Sequence, residues 1–232
     1  MIRLHQFEVS PFCDKIRRVL HVKGQPYEVV EVPLTRSFSI SKLNPAGKLP
    51  TLEHDGRIVA DSTDIAAYLE EAFPEPPLYP KGPAERALCH VLEDWADESL
   101  YYYEMTLRFT LPHNARRFTP LLVAHDPPWF QRLAGPLIPW LMRRTTKGQG
   151  VGRKTTAQLV QDVERHVTAV VGLLGDGDWL VGSALSIADL SVFAQLTCIH
   201  ATDEGAKIIG GHPEVAAWLA RVDAASRALG DA

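Results

Sequence analysis

A chain of 232 residues that is 46% hydrophobic can bury one large core or two smaller ones and has the ordinary polarity of a soluble globular protein. A net charge of -4 and a pI near 6.1 argue against general attraction to nucleic acid or anionic membrane, leaving room only for a local basic patch. No run approaches the roughly 18 apolar residues of a membrane helix, and "MIRLHQF" resembles a first strand better than a secretory signal.

The three cysteines, Cys13, Cys89 and Cys198, lie too far apart for a disulfide framework or a CxxC zinc site and suit a reducing, cytoplasmic setting. Cys89 and Cys198 sit in apolar helical surroundings and read as core packing. The nine histidines include no HExxH or comparable spacing, so no metal is expected.

In chain order, an apolar segment (Ile2 to Val9) reads as a strand. A helical one (Pro11 to Lys23) follows, stopped by Gly24. "YEVVEV", from Tyr27, alternates in polarity and reads as a second strand. "KLPTLEHDGRIVAD" reads as two strands joined at Asp55-Gly56, a tight-turn dipeptide. "STDIAAYLEEAF" completes the unit as a helix with Ile65, Tyr68 and Leu69 on one face. This order predicts an α/β domain with a mixed four-stranded sheet over residues 1–79.

"FPEPPLYPKGPAER" contains five prolines and a glycine and reads as a linker, about 74–83. From residue 84 to 232 the period is helical. Leu88, Val91, Leu92 and Trp95 predict one amphipathic face, on a helix continuing through the tyrosine run. Val160, Val163, Val167, Val170 and Val171 predict another, as do Val215, Trp218, Leu219 and Val222. The stretch Pro112 to Pro139 should be broken by its prolines. Ser186 and Asp189 have capping-box spacing, with Leu185 and Leu190 as the hydrophobic staple, and loss of the serine cap should cost about 1 kcal/mol. "TKGQGVGRKT" lacks the glycine that a phosphate loop needs before its lysine and reads as a flexible basic loop.

Ser10-Pro11-Phe12-Cys13 opens the first helix. Serine at the cap and proline at the first helical position need no functional explanation. The tetrad also looks like a dithiol motif whose first cysteine has become serine.

Taken together, "SPFCDKIRRVL", "NPAGKLPTL", "ADSTDIAAYLEE" and "LSIADLSVF", in this order and spacing, resemble the cytosolic glutathione S-transferases. The resemblance implies a thioredoxin-like domain followed by an all-helical one, a homodimer, and glutathione as co-substrate. It places Ser10 where the family holds the glutathione sulfur. A serine hydroxyl is too weak an acid to be the nucleophile, but it can donate a hydrogen bond to the bound thiolate, aided by the helix N-terminus.

Pro50 corresponds to a cis proline that presents the backbone of Leu49 to the cysteinyl unit. Lys48 is placed for the glycine carboxylate, and Asp61 with Ser62 for the γ-glutamyl end. A lysine in a turn and an acidic-serine pair at a helix start also have purely structural roles.

The electrophile pocket is expected between the domains, lined by Phe12 and by Tyr102, Tyr103, Met105, Arg108 and Phe109. An aromatic stripe at helical spacing is more often a core pattern. Phe118 to Arg144 does not match the family pattern and reads as an insertion covering that pocket. The expected activity is transfer of glutathione to an apolar electrophile. Two alternatives are a glutathione-dependent thiol reductase or lyase using Cys13, and a non-catalytic member that binds apolar ligands or a protein. Neither nucleic acid nor membrane is expected as a partner.

Overall fold

The computed structural model describes residues 1–227. Strands β1 (Ile2–Gln6), β2 (Tyr27–Glu31), β3 (Thr51–His54) and β4 (Arg57–Ala60) form one sheet in the order β2-β1-β3-β4. β1 and β2 are parallel, with Ile2 opposite Tyr27, and β3 is antiparallel to both its neighbours. A parallel pair needs a crossover, which helix α1 (Pro11–Val22) supplies before Gly24 ends it at a φ of 63°. Asp55 and Gly56 both take positive φ, 49° and 84°, the geometry of the tight hairpin turn. The short helix α2 (Ile40–Leu43) lies between β2 and β3, helix α3 (Ser62–Ala72) follows β4, and Ile65 and Leu69 of α3 are buried with Leu4, Ile16, Leu20 and Leu52. The N-terminal domain is therefore the expected thioredoxin-like unit with a four-stranded mixed sheet.

The proline-rich stretch is pinned rather than loose. The Glu70 carboxylate accepts the Leu78 amide at 3.1 Å, and the buried Lys23 ammonium pairs with Glu70 at 2.6 Å while donating to the Pro76 carbonyl at 2.7 Å.

The C-terminal domain is helical: α4 (Pro83–Trp95), a π-helical turn (Ala96–Leu100), α5 (Tyr101–Thr110), α6 (Pro112–Leu122), α7 (Pro128–Gln149), α8 (Thr156–Leu174), α9 (Ile187–His200), α10 (Asp203–Gly210) and α11 (Pro213–Ser226). No strand follows β4 among the described residues. Val163, Val167 and Val170 are fully buried, as are Val215, Trp218 and Val222, and one continuous cluster joins them to the sheet domain. Ser186 and Asp189 form the capping box at the start of α9.

Three local expectations are corrected. Leu88 and Val91 are exposed on α4, whose buried face is Cys89, Leu92 and Glu93. Apolar spacing missed this face because one of its members is a carboxylate, neutralised by a buried lysine. The prolines do not break the segment after Pro112: Pro120 lies inside α6, and Pro136 and Pro139 lie inside α7. Ala134 and Ile138 on α7 bury against Met105 and Phe109 of α5, which offsets the backbone hydrogen bonds the prolines remove. The basic glycine-containing stretch is ordered as well. Gly152 packs against Thr146 with no space for a side chain, and Lys154 pairs with Asp162.

Candidate functional site

The β1–α1 loop, the turn before β3, the β4–α3 corner and the inner faces of α4 and α5 meet around one cleft of about 720 Å³. Ser10, Phe12, Lys48, Leu49, Pro50, Asp61 and Ser62 all line it. So do Tyr102, Met105, Arg108 and Phe109 from the opposite wall. Residues drawn from five separate stretches thus converge on one surface between the domains.

Ser10 has the extended backbone of an N-cap, φ -81° and ψ 126°, and its carbonyl accepts the Asp14 amide at 3.0 Å. Its hydroxyl does not cap the helix, contrary to what the sequence alone favours, and lies instead against the Cys13 thiol. The first-turn amides of α1 are left without a side-chain acceptor at the edge of the cleft, which makes that edge electropositive.

Cys13 is completely buried, does not line the cleft, and is pushed up to about 11 by burial, against a smaller lowering by Ser10. It is a neutral thiol at physiological pH.

The Leu49–Pro50 peptide is cis. The preceding turn is held from below: the buried Asn44 amide donates to the Lys48 carbonyl at 3.1 Å and to Thr51 Oγ1 at 2.6 Å. Sequence reasoning missed Asn44, whose placement in "NPAGKLPTL" is its one signal. Lys48 is exposed, with its ammonium 4.0 Å from Asp61. Asp61 caps α3 by accepting the Thr63 amide at 3.1 Å, from a φ of 77° that a side chain other than glycine adopts at a cost of about 1–3 kcal/mol.

Beneath Ser62 and Thr63 lies a buried charge cluster that joins the domains. The Lys15 ammonium on α1 pairs with Glu93 at 2.6 Å and Asp97 at 2.9 Å, and Asp97 also accepts from Thr63 Oγ1 at 3.3 Å. Burial alone would lower the Lys15 pKa, but the two carboxylates more than offset this and keep it charged. Arg108, also buried, donates to the Val9 carbonyl at 3.3 Å and approaches Glu104 at 3.4 Å, so it holds the residue before Ser10 in place.

One predicted pocket residue lies elsewhere. Tyr103 points away from the cleft, its hydroxyl donating to Asp162 at 3.1 Å, because a step of 100° per residue turns it from the face of Tyr102. Tyr101 was missed and belongs to the wall: its ring packs against Phe12 at 4.8 Å between centroids, tilted by 58°, and the spacing Tyr101, Met105, Phe109 marks the inward face of α5. Leu122 and Met142, from α6 and α7, close the far side, so the segment 118–144 does border the cleft. Cys198 is not simple core packing, since the Arg108 guanidinium donates to its sulfur at 2.8 Å. No group of three or more His, Cys, Asp or Glu among the described residues is placed to hold a metal ion.

A cis proline turn, an anion-favouring helix start and an acid-capped second helix thus surround one interdomain cleft. Residues 4–77 match the model of the family described as "Glutathione S-transferase, N-terminal domain", and residues 127–221 match its C-terminal domain. The chain belongs to the glutathione S-transferase family.

Among its relatives, Protein LigF of Sphingobium sp. strain SYK-6 is 27% identical over 96% of this chain and 90% of its own length. The crystal structure of that protein, a beta-etherase, superposes with a TM-score of 0.69 over 96% of this chain and 95% of its own. A glutathione S-transferase structure from Rhodospirillum rubrum F11 is 27% identical, with a TM-score of 0.69 over 96% of this chain and 88% of its own. A partial likeness is closer in sequence: Glutathione S-transferase 1 of Dianthus caryophyllus is 40% identical over 38% of this chain and 41% of its own length.

Proposed function

We propose that this protein transfers glutathione to an apolar electrophile, with the Ser10 hydroxyl holding the glutathione sulfur as a thiolate. The observation that carries this is the convergence of Ser10, the Leu49–Pro50 turn and the Asp61–Ser62 corner on one cleft beside an aromatic and methionine-lined wall. In this reading the Leu49 backbone meets the cysteinyl unit, Lys48 the glycine carboxylate, and Asp61 with Ser62 the γ-glutamyl end. The sulfur then attacks an electrophilic carbon between Phe12, Tyr101, Tyr102, Met105 and Phe109. A carbon–sulfur bond forms and the leaving group departs with the bonding pair. Detoxification of apolar electrophiles in the cytoplasm fits this chemistry and the free Cys13, Cys89 and Cys198 thiols.

A free thiol of pKa about 8.5 is mostly protonated at neutral pH. A hydrogen bond to its charged form is worth about 1.5–3 kcal/mol, so Ser10→Ala is expected to lower kcat/KM with a model aryl halide by about tenfold to a hundredfold. Cys13→Ala, tested alongside, should stay within about fivefold of the parent, because a buried neutral thiol is a poor nucleophile. The opposite ranking would favour the reductase or lyase reading through Cys13. The likeness to a beta-etherase over 96% of this chain supports an ether as one substrate class, and assay of an ether beside the aryl halide tests it.

Asp61→Gly separates binding from stability. Glycine accepts the positive φ and is itself a fair cap, so thermal unfolding should be unchanged or raised while glutathione affinity, read by calorimetry, falls about tenfold or more. A homodimer is part of the proposal, and the exposed Leu88 and Val91 on α4 supply an apolar patch for it. Val91→Glu should yield a monomer in light scattering.

A further inference from the structure

Helix α7 carries a second apolar face that nothing in the structure covers. Its inner side buries Ala134 and Ile138. On the outer side, Trp129, Leu133, Leu137, Trp140 and Leu141 follow a spacing of three and four residues and are 60%, 58%, 38%, 56% and 39% exposed.

The charge around this stripe is one-sided. Between Thr110 and Lys154 the sequence has eight lysines and arginines and a single acid, Asp126, a net charge of +7 in a chain whose total is -4. Asp126 is buried and engaged with the Leu34 and Thr35 amides at 2.9 and 2.7 Å, so it does not offset the surface. Acids outside the stretch pair with two of the eight, Asp203 with Arg117 and Asp162 with Lys154, but Arg132, Arg144 and Lys147 on α7 form no ion pair with another described residue, and the Arg144 guanidinium sits 5.9 Å over the Trp140 ring.

We propose that α7 is a peripheral membrane-docking helix that lays its tryptophan and leucine stripe into an anionic bilayer surface. An amphipathic helix with tryptophan and leucine on one face and only basic charge in its own sequence has the chemistry of interfacial binding. Clustered lysine and arginine add attraction to anionic headgroups. A second copy fits this face less well, because a two-fold contact would lay the same basic residues against each other. The overall acidity of the chain masks the patch, which is local to α6 and α7. No helix among the described residues is long and apolar enough to cross a membrane, so the association is with the surface. Leu122 and Met142 from these two helices line the cleft on their inner side, so docking would set the apolar wall of the site close to the bilayer.

Cosedimentation of the intact protein with phosphatidylcholine vesicles, with and without phosphatidylglycerol, tests this. Binding is expected to the anionic vesicles, to weaken with salt, and to fall more than about tenfold in the variant Arg132→Gln, Arg144→Gln, Lys147→Gln. Leu133→Ser with Trp140→Ser should lose binding similarly, while the exposure of all five positions leaves circular dichroism and the unfolding midpoint unchanged. Failure of the parent protein to bind anionic vesicles overturns the proposal. Binding that neither variant weakens overturns it too, as does a stripe variant that turns an oligomer into a monomer while the parent ignores vesicles, which would make α7 an interface between copies.

Discussion

Lys15→Met is expected to lower the unfolding free energy by about 3–5 kcal/mol, because it strands Glu93 and Asp97 in the interior without their cation. Lys15 is 1% exposed and has a carboxylate on either side, with Thr63 Oγ1 at 3.4 Å as a further acceptor. The loss has a defined pH dependence. Burial already raises the Asp97 carboxyl above the ordinary carboxylate range, despite Lys15, and removing the lysine raises it further. An acid whose folded pKa exceeds its unfolded one contributes stability that is complete below about pH 4 and lost as pH rises through the folded value. The gap in unfolding midpoint between Lys15→Met and the parent should therefore be small near pH 4 and widen towards pH 7.5. Adding Glu93→Gln and Asp97→Asn should restore much of the loss, since it removes the stranded charges. Thermal unfolding across this range checks both statements.

Asp189→Ala should cost a comparable amount, about 3–5 kcal/mol, and far more than Ser186→Ala at about 1 kcal/mol. The Asp189 carboxylate accepts four hydrogen bonds: the Ser186 amide at 3.0 Å, the Ser186 hydroxyl at 2.7 Å, the Leu180 amide at 2.9 Å and the Trp218 indole at 3.0 Å. Asp189 and Trp218 are wholly buried and the other donors nearly so. Truncation leaves donors from three segments unpaired at once, and each such group costs about 1–3 kcal/mol. Denaturant unfolding of the two variants side by side reads the difference. Equal losses would mean that Asp189 acts only as a helix cap.

The local signals that proved reliable were those in which chain geometry and residue type agree. Asp55-Gly56 turns as that dipeptide favours, Gly24 ends its helix, and Ser186 with Asp189 cap α9. What was not legible depended on partners distant in sequence. The buried face of α4 includes Glu93, which no hydrophobic period would select, because the cation that neutralises it sits on α1. The Trp218 and Leu180 bonds that turn a cap into a junction of three segments are equally invisible from "LSIADLSVF". Ser10 shows the same limit at the site. Its place before Pro11 predicts a capping hydroxyl, whereas the folded chain turns the hydroxyl to Cys13. The prolines of α6 and α7 are misleading for the same reason, since packing against Met105 and Phe109 outweighs their local preference.

A neutral Cys13 thiol beside Ser10 leaves the hydroxyl hydrogen available to an incoming anion, since a thiol is a weak acceptor. Glutathione bound at the cleft would offer that hydrogen a full charge. Ultraviolet titration of the thiolate band of bound glutathione tests this most directly, in the parent protein and in Ser10→Ala. The parent should show a midpoint about one to two units below that of a free thiol, and Ser10→Ala should return most of the way to about 8.5. Equal midpoints in the two proteins would contradict the assignment of Ser10 as the group that holds the sulfur.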